Sequence, residues 1–244
     1  MFVKFNRQTI FAGVAVLTAP FLATTVLRHA LSGDSVGFAQ AAPQITAPLP
    51  DPVRDAPLAA THGIDKAILA GGCFWGLQAV FQHVKGVTHV TAGYSGGSAM
   101  TAQYELVSTG TTGHAESVEV TYDPAQVTYG QLLKVYFEVA HDPTELNRQY
   151  PDEGTQYRSS IFFAEPEQEK IAGAYIAQLD AAKTFPKPIV TKVAPLKAFF
   201  AAEGYHQDYA RLHPDQPYIA IYDLPKVAAL EKELPGLYVM PVTN

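Results

Sequence analysis

Apolar positions along the chain switch repeatedly between strand-like and helix-like spacing. Residues 66–70 form a short apolar run that Gly71-Gly72 breaks, which predicts a strand. From Cys73, apolar side chains recur at Phe74, Leu77, Val80, Phe81 and Val84, the stripe of one helix face, with Gly86 placed to close it. Residues 87–94 read as a strand ending at Ser95-Gly96-Gly97, and a helical turn is expected near 104–108. Residues 116–122 alternate as a half-buried strand does, and Asp123-Pro124 ends them. Thr128 is a candidate cap for a helix to about Ala140, carried by Leu132, Leu133, Val135, Tyr136 and Val139. A polar loop over 141–154 precedes a strand over 156–164, and Pro166 opens a helix to roughly Ala182. Another strand is expected at 189–193, an aromatic-rich helical stretch within 197–212, and a last short helix at 226–234. The order β-α-β-β-α-β-α-β predicts an α+β fold. It would be a two-layer sandwich with a ferredoxin-like core, a mixed, mostly antiparallel sheet with helices packed on it.

The ends read differently. Lys4 and Arg7 precede an apolar run over 10–27, and Ala39-Gln40-Ala41 has the small-x-small form of a signal-peptidase site. Residues 1–41 are therefore expected to be a cleaved signal peptide or a membrane anchor, with the rest exported to the periplasm or held at the extracytoplasmic face. Residues 42–64, rich in proline and alanine, read as a linker that does not pack. The catalytic domain should then run over 65–244, with a C-terminal extension from about 215.

Composition narrows the class. Hydrophobic residues are 48% and charged ones 16% of 244, which suits a folded enzyme, and the net charge of −6 speaks against nucleic-acid partners. There is one cysteine, Cys73, so no internal disulfide can form. With that lone thiol and scattered histidines, no metal-ligand spacing is present, and neither a metal nor a cofactor is expected. Cys73 follows a strand and two glycines and opens a helix, where free N–H groups and the helix dipole can lower a thiol's pKa. On its own it could equally be a small buried hydrophobe. Its neighbours are Phe74 and Trp75, the only tryptophan. Consecutive helical residues point about 100° apart, so both cannot face one core, and at least one should line the mouth beside the sulfur.

Gly72-Cys73-Phe74-Trp75-Gly76 resembles the catalytic signature of the peptide-methionine (S)-S-oxide reductases, the A-type methionine sulfoxide reductases. Further blocks match in the family's order, among them Gly93-Tyr94-Ser95-Gly96-Gly97, Gly113-His114-Ala115-Glu116, His141-Asp142-Pro143-Thr144, Asp152-Glu153-Gly154-Thr155-Gln156-Tyr157 and Tyr205-His206-Gln207-Asp208-Tyr209. The resemblance spans about 65–215. It implies that Cys73 attacks the sulfoxide sulfur of the S-epimer and that Phe74 and Trp75 hold the substrate methyl. It further implies that Glu116, Tyr104 and Tyr157 bind the sulfoxide oxygen, with Glu116 as proton donor, and that Asp152 orders the site. Cys73 would become a sulfenic acid.

The chain departs from the family pattern in its tail, where Ile219 and Tyr222 stand and resolving cysteines are expected. An external thiol, thioredoxin- or glutaredoxin-like or small, must then restore Cys73 after it acts on methionine sulfoxide in exported proteins or peptides. A monomer is expected. Two other readings stay open on the residues alone. One is a Cys-His hydrolase or acyltransferase using His114, His141 or His206 as base; the other is a non-catalytic module that binds a thioether or sulfoxide.

Overall fold

Strand alternation builds the sheet. The computed structural model describes residues 48–241. Its strands β1 (Asp65–Ala70), β2 (Val87–Ser95) and β3 (Ala115–Tyr122) form an antiparallel set with β3 in the middle. β1 and β2 are joined by α1 (Phe74–Gln82), so the crossover skips the place that β3 fills. The chain continues through α2 (Tyr104–Val107) before β3 and α3 (Tyr129–Val135) after it, then a two-residue ribbon of β4 (Arg148–Gln149) and β5 (Asp152–Glu153). β6 (Ser160–Phe163) pairs antiparallel with β1, and α4 (Pro166–Ala181) crosses to β7 (Lys192–Pro195), parallel to β6. With β8 (Phe199–Ala201) on the far edge, the sheet order is β7-β6-β1-β3-β2-β8. The inner four strands have the ferredoxin-like arrangement, and the mixed α+β expectation holds.

One core lies between sheet and helices, built on Leu69, Phe74, Leu77, Val118, Val120, Leu132, Tyr136 and Tyr175. β1 is buried on both faces: Ile68 and Ala70 join Ala115 and Phe162 in a smaller cluster behind the sheet. The expected cap on α3 is present as a full capping box, Thr128 Oγ1 accepting from Gln131 N–H and Gln131 Oε1 from Thr128 N–H. A π-helix, Tyr136–Ala140, continues α3 to the expected end.

Three expectations need correction. Segment 197–212 is helical only in short turns of its second half. It gives edge strand β8, a 3₁₀ turn at Gly204–His206 and the single turn α5 (Tyr209–Leu212). The strand expected at 189–193 is shifted to β7, because Ile189 and Val190 direct their N–H groups to Asp180 Oδ1 and Pro143 O instead of to β6.

The third correction concerns the reading of 42–64 as a linker that does not pack, for from residue 48 the chain is strapped to the helices. Leu49 is buried, Pro50 O accepts from the Tyr175 hydroxyl, and Val53 N–H donates to Gln178 Oε1. Asp55 Oδ1 accepts from Gly130 N–H at 2.8 Å and Oδ2 from the Thr128 hydroxyl, which ties the strap to the start of α3. The C-terminal segment also packs. A π-helix, Ile219–Asp223, runs into α6 (Leu224–Glu233), and both lie against α1. The expected signal or anchor falls on residues 1–41, outside the described residues. Among the described residues, no helix is long and apolar enough to cross a membrane.

Candidate active site

Cys73 is the N-cap of α1, placed there by the turn at Gly72, whose φ of +94° is one that side-chain-bearing residues rarely adopt. Glu116 lies at the start of the central strand. Because strand side chains alternate, it shares the helix-facing side with Val118 and Val120. That side brings its carboxylate under the first turn of α1, where Glu116 Oε2 accepts from Phe74 N–H at 3.1 Å. The carboxyl group thus fills one of the unpaired N–H positions that every helix start exposes.

Burial dominates the chemistry of both groups. Glu116 is 2% exposed, and loss of water pushes its pKa up to about 8, with Asp152 and Asp223 adding to the rise and the Phe74 N–H opposing it. It is therefore protonated at neutral pH. The helix-start argument for a low-pKa thiol at Cys73 is corrected by the structure. Burial first, then Glu116 and Asp223, raise the Cys73 thiol well above its usual range, and the Trp75 N–H only partly offsets them. At rest the site holds a thiol and a carboxylic acid.

The other expected residues converge here. Tyr104 and Tyr157 are both half-buried, and burial and then the Glu116 charge raise their phenols, with Cys73 acting on each as well. Asp152 is half-buried on β5, where its Oδ2 accepts from the Tyr218 hydroxyl. Phe74 is core, while Trp75 remains half-buried, so the two aromatics divide as helical geometry requires.

Trp75 is held tightly. Its ring stacks on Tyr209 at 3.9 Å, meets the edge of Tyr218 at 6.1 Å, and its Nε1–H donates to His206 Nδ1 at 3.2 Å. Tyr218, Asp223 and Lys226 were not singled out from the sequence. The only available signal was that the tail lacks the thiols expected there.

Each of the three candidate histidines has at least one ring nitrogen engaged by a neighbouring group. His141 is fully buried between Tyr136 O and the Ser159 hydroxyl. His114 packs against Gly97 N–H and Ser98 O, and His206 supports Trp75. His206 lies among the site aromatics, its ring 4.9 Å from Phe74 and 4.5 Å from Tyr104, and its Nδ1 is taken up by the Trp75 N–H. No cluster of metal-ligating side chains occurs among the described residues.

The profile of the family described as peptide methionine sulfoxide reductase matches residues 65–235, the whole of the sheet, the thiol and the C-terminal helices. The chain belongs to this family. Among similar members, the peptide methionine sulfoxide reductase MsrA 2 of Mesorhizobium japonicum is 60% identical over 179 residues, 73% of this chain and 92% of that protein. The MsrA 2 of Synechocystis sp. is 52% identical, covering 76% of this chain and 87% of its own. Of solved structures, methionine sulfoxide reductase A of Corynebacterium diphtheriae aligns with a TM-score of 0.54 at 35% identity, over 72% of this chain and 89% of that one. Reduced Mxr1 of Saccharomyces cerevisiae aligns with a TM-score of 0.59 at 28% identity, over 68% and 98%. The strap at residues 48–64 precedes the region that the peptide methionine sulfoxide reductase profile matches.

Proposed function

We propose that this reductase converts the S-epimer of methionine sulfoxide, in peptides or free, to methionine by direct attack of Cys73 on the sulfoxide sulfur. The observation that carries the reading is the contact of Glu116 with Phe74 N–H, which fixes a neutral carboxylic acid beside the only thiol. A sulfoxide sulfur is a poor electrophile until its oxygen is protonated or strongly hydrogen-bonded. Glu116 supplies that proton, and the Tyr104 and Tyr157 hydroxyls stabilise charge on the oxygen. Phe74 and Trp75 take the substrate methyl, and Asp152, held by Tyr218, keeps the polar side of the pocket in order. As the Cys73 sulfur bonds to the substrate sulfur, the thiol proton replaces the one Glu116 has given. The S–O bond breaks, oxygen passes to Cys73 as a sulfenic acid, and the thioether leaves.

Recovery needs two equivalents of external thiol. The first displaces the hydroxyl as water and forms a mixed disulfide with Cys73; the second releases the thiol and carries away a disulfide. A thioredoxin- or glutaredoxin-like protein fits this part, as would a small thiol. Residues 1–41 support a site of action outside the cytoplasm, in the repair of oxidised exported proteins, with the chain acting as a monomer.

The test is an assay of both epimers of a methionine-sulfoxide peptide with dithiothreitol as donor. Reduction of the S-epimer alone is expected, with none in Cys73→Ser. Equal reduction of both epimers, or of neither, overturns the reading, and reduction that persists in Cys73→Ser would remove Cys73 as the nucleophile.

A further inference from the structure

Gly76, in the first turns of α1, lies over the C-terminal segment. A Cβ there would stand 2.1 Å from Asp223 Oδ1 and 2.9 Å from Lys226 Nζ, so a charged pair fills the space a side chain would occupy. Asp223 is fully buried and Lys226 only 4% exposed, and they meet at 3.4 Å. The second oxygen, Asp223 Oδ2, is buried with no hydrogen-bond partner. Buried pairs are a poor source of stability, because desolvation offsets their attraction, and an orphan oxygen makes the balance worse. The π-helix Ile219–Asp223 carries Asp223 into this position.

We propose that Asp223 and Lys226 are a positioning pair for the reaction, tuning the Cys73 thiol through their field from beneath Gly76 without touching substrate. This rests on Cys73 being the reacting thiol, but its test needs no turnover. The groups that face Cys73 are Glu116 from β3, Asp152 from β5, Tyr104 from α2, Tyr157 from its 3₁₀ turn, and Tyr218 and Asp223 from the C-terminal segment.

Of the carboxyl groups, Glu116 acts most strongly and Asp223 next. Glu116 is neutral near pH 7; Asp223 is itself pushed up by burial and drawn back by Lys226, so the pair sets how much negative charge Asp223 holds. That charge opposes the thiolate, the form that peroxide oxidises and alkylating agents attack. Lys226 favours the ionised form of Asp223, and its own positive charge beside that carboxylate offsets part of the opposition at Cys73. A thiol with no second cysteine to rescue it thus stays protonated until an activated sulfoxide is in place.

The single cysteine makes the test direct, because any alkylation of the full chain reports Cys73. The rate of modification by iodoacetamide is followed against pH. Wild type should show a midpoint above the ordinary thiol value of about 8.5. A midpoint at or below that value overturns the proposal, whether or not any variant folds.

Asp223→Asn should lower the midpoint by about one pH unit or more, and Lys226→Met should raise it. Breaking half of a buried pair can unfold the chain, so the double variant D223N/K226M is the control. It removes both charges and should still fall below wild type, by less than D223N. A double variant folded by circular dichroism with an unshifted midpoint would show a packing role only and defeat the proposal.

Discussion

Phe74 N–H donates to Glu116 Oε2 at 3.1 Å, so the acid is anchored one peptide unit from the nucleophile it serves. The same backbone that aims the sulfur aims the proton, and the two cannot drift apart while α1 keeps its first turn.

The sulfoxide step requires Glu116 protonated, and its pKa lies at about 8. The rate of sulfenic acid formation in single turnover should therefore hold on the acidic side and fall as pH rises through about 8. Glu116→Gln should lower kcat by about 100-fold or more with KM little changed. A wild-type kcat in that variant would remove Glu116 from the chemistry.

Gly76→Ala sets a Cβ against Asp223 Oδ1, where only 2.1 Å is available. A cost of about 1–3 kcal/mol in urea unfolding is expected from overpacking, together with a drop in kcat as α1 is pushed off its seat. Stability and kcat both at wild-type level would mean that the Asp223 side chain does not fill that space.

The strap should bear on stability and leave catalysis alone. Leu49→Ala should cost about 2–4 kcal/mol through the cavity it opens, and Asp55→Ala about 1 kcal/mol through the lost cap contacts. Denaturant midpoints with kcat measured alongside separate the two effects. A shift in kcat at unchanged stability would tie the strap to the site instead.

Two buried groups pull the pH dependence of stability in opposite directions. His141 has its pKa lowered from 6.5 to about 4, because burial disfavours its charge. Its contribution is present above 6.5 and is lost as pH falls towards 4, amounting to about 3 kcal/mol. Glu116 is raised from 4.5 to about 8, so its contribution is present below 4.5 and is lost as pH rises towards 8. Between about 4.5 and 6.5 the slopes oppose each other. In Glu116→Gln the acid-side loss should stand out as a steeper fall of Tm below pH 6.5. If the two Tm curves run parallel, at least one of these groups does not titrate as described.

Much of the fold could be read from single residues. The alternation of Val118, Glu119 and Val120, the stripe from Phe74 to Val84 and Thr128 ahead of an apolar helix stripe each declare their element, because local periodicity and tertiary packing agree there. Segment 197–212 misleads because it is rich in aromatic residues, Phe199 and Phe200 among them. These two lie on an edge strand and pair with Ser95 and Tyr94 of β2, next to Gly93, which leaves room for the Phe199 ring and Phe200 O. The strap was illegible for another reason: apart from Leu49 and Ala56, it is fixed by backbone groups and by polar side chains such as Asp51, Arg54 and Asp55, and such contacts leave no apolar pattern.

In the site, the ordered motifs pointed to Cys73, Phe74, Trp75, Tyr104, Glu116, Asp152 and Tyr157, and the structure brings all of them to one place. The direction of the Cys73 shift was misread, since a helix start is visible in sequence and the buried acids around it are not. Asp223 and Lys226 were missed because an Asp-x-x-Lys spacing reads as an ordinary solvated pair on a helix.

A lone cysteine also has a kinetic meaning. With no partner thiol inside the chain, each stage of recovery is an encounter between two molecules, and the first-order closure of an internal disulfide never enters the cycle. Turnover must then rise and fall with the local concentration of reducing equivalents. When that supply fails, the protein is left stalled with one oxygen atom on its sulfur, a gauge of the compartment as much as a repair catalyst.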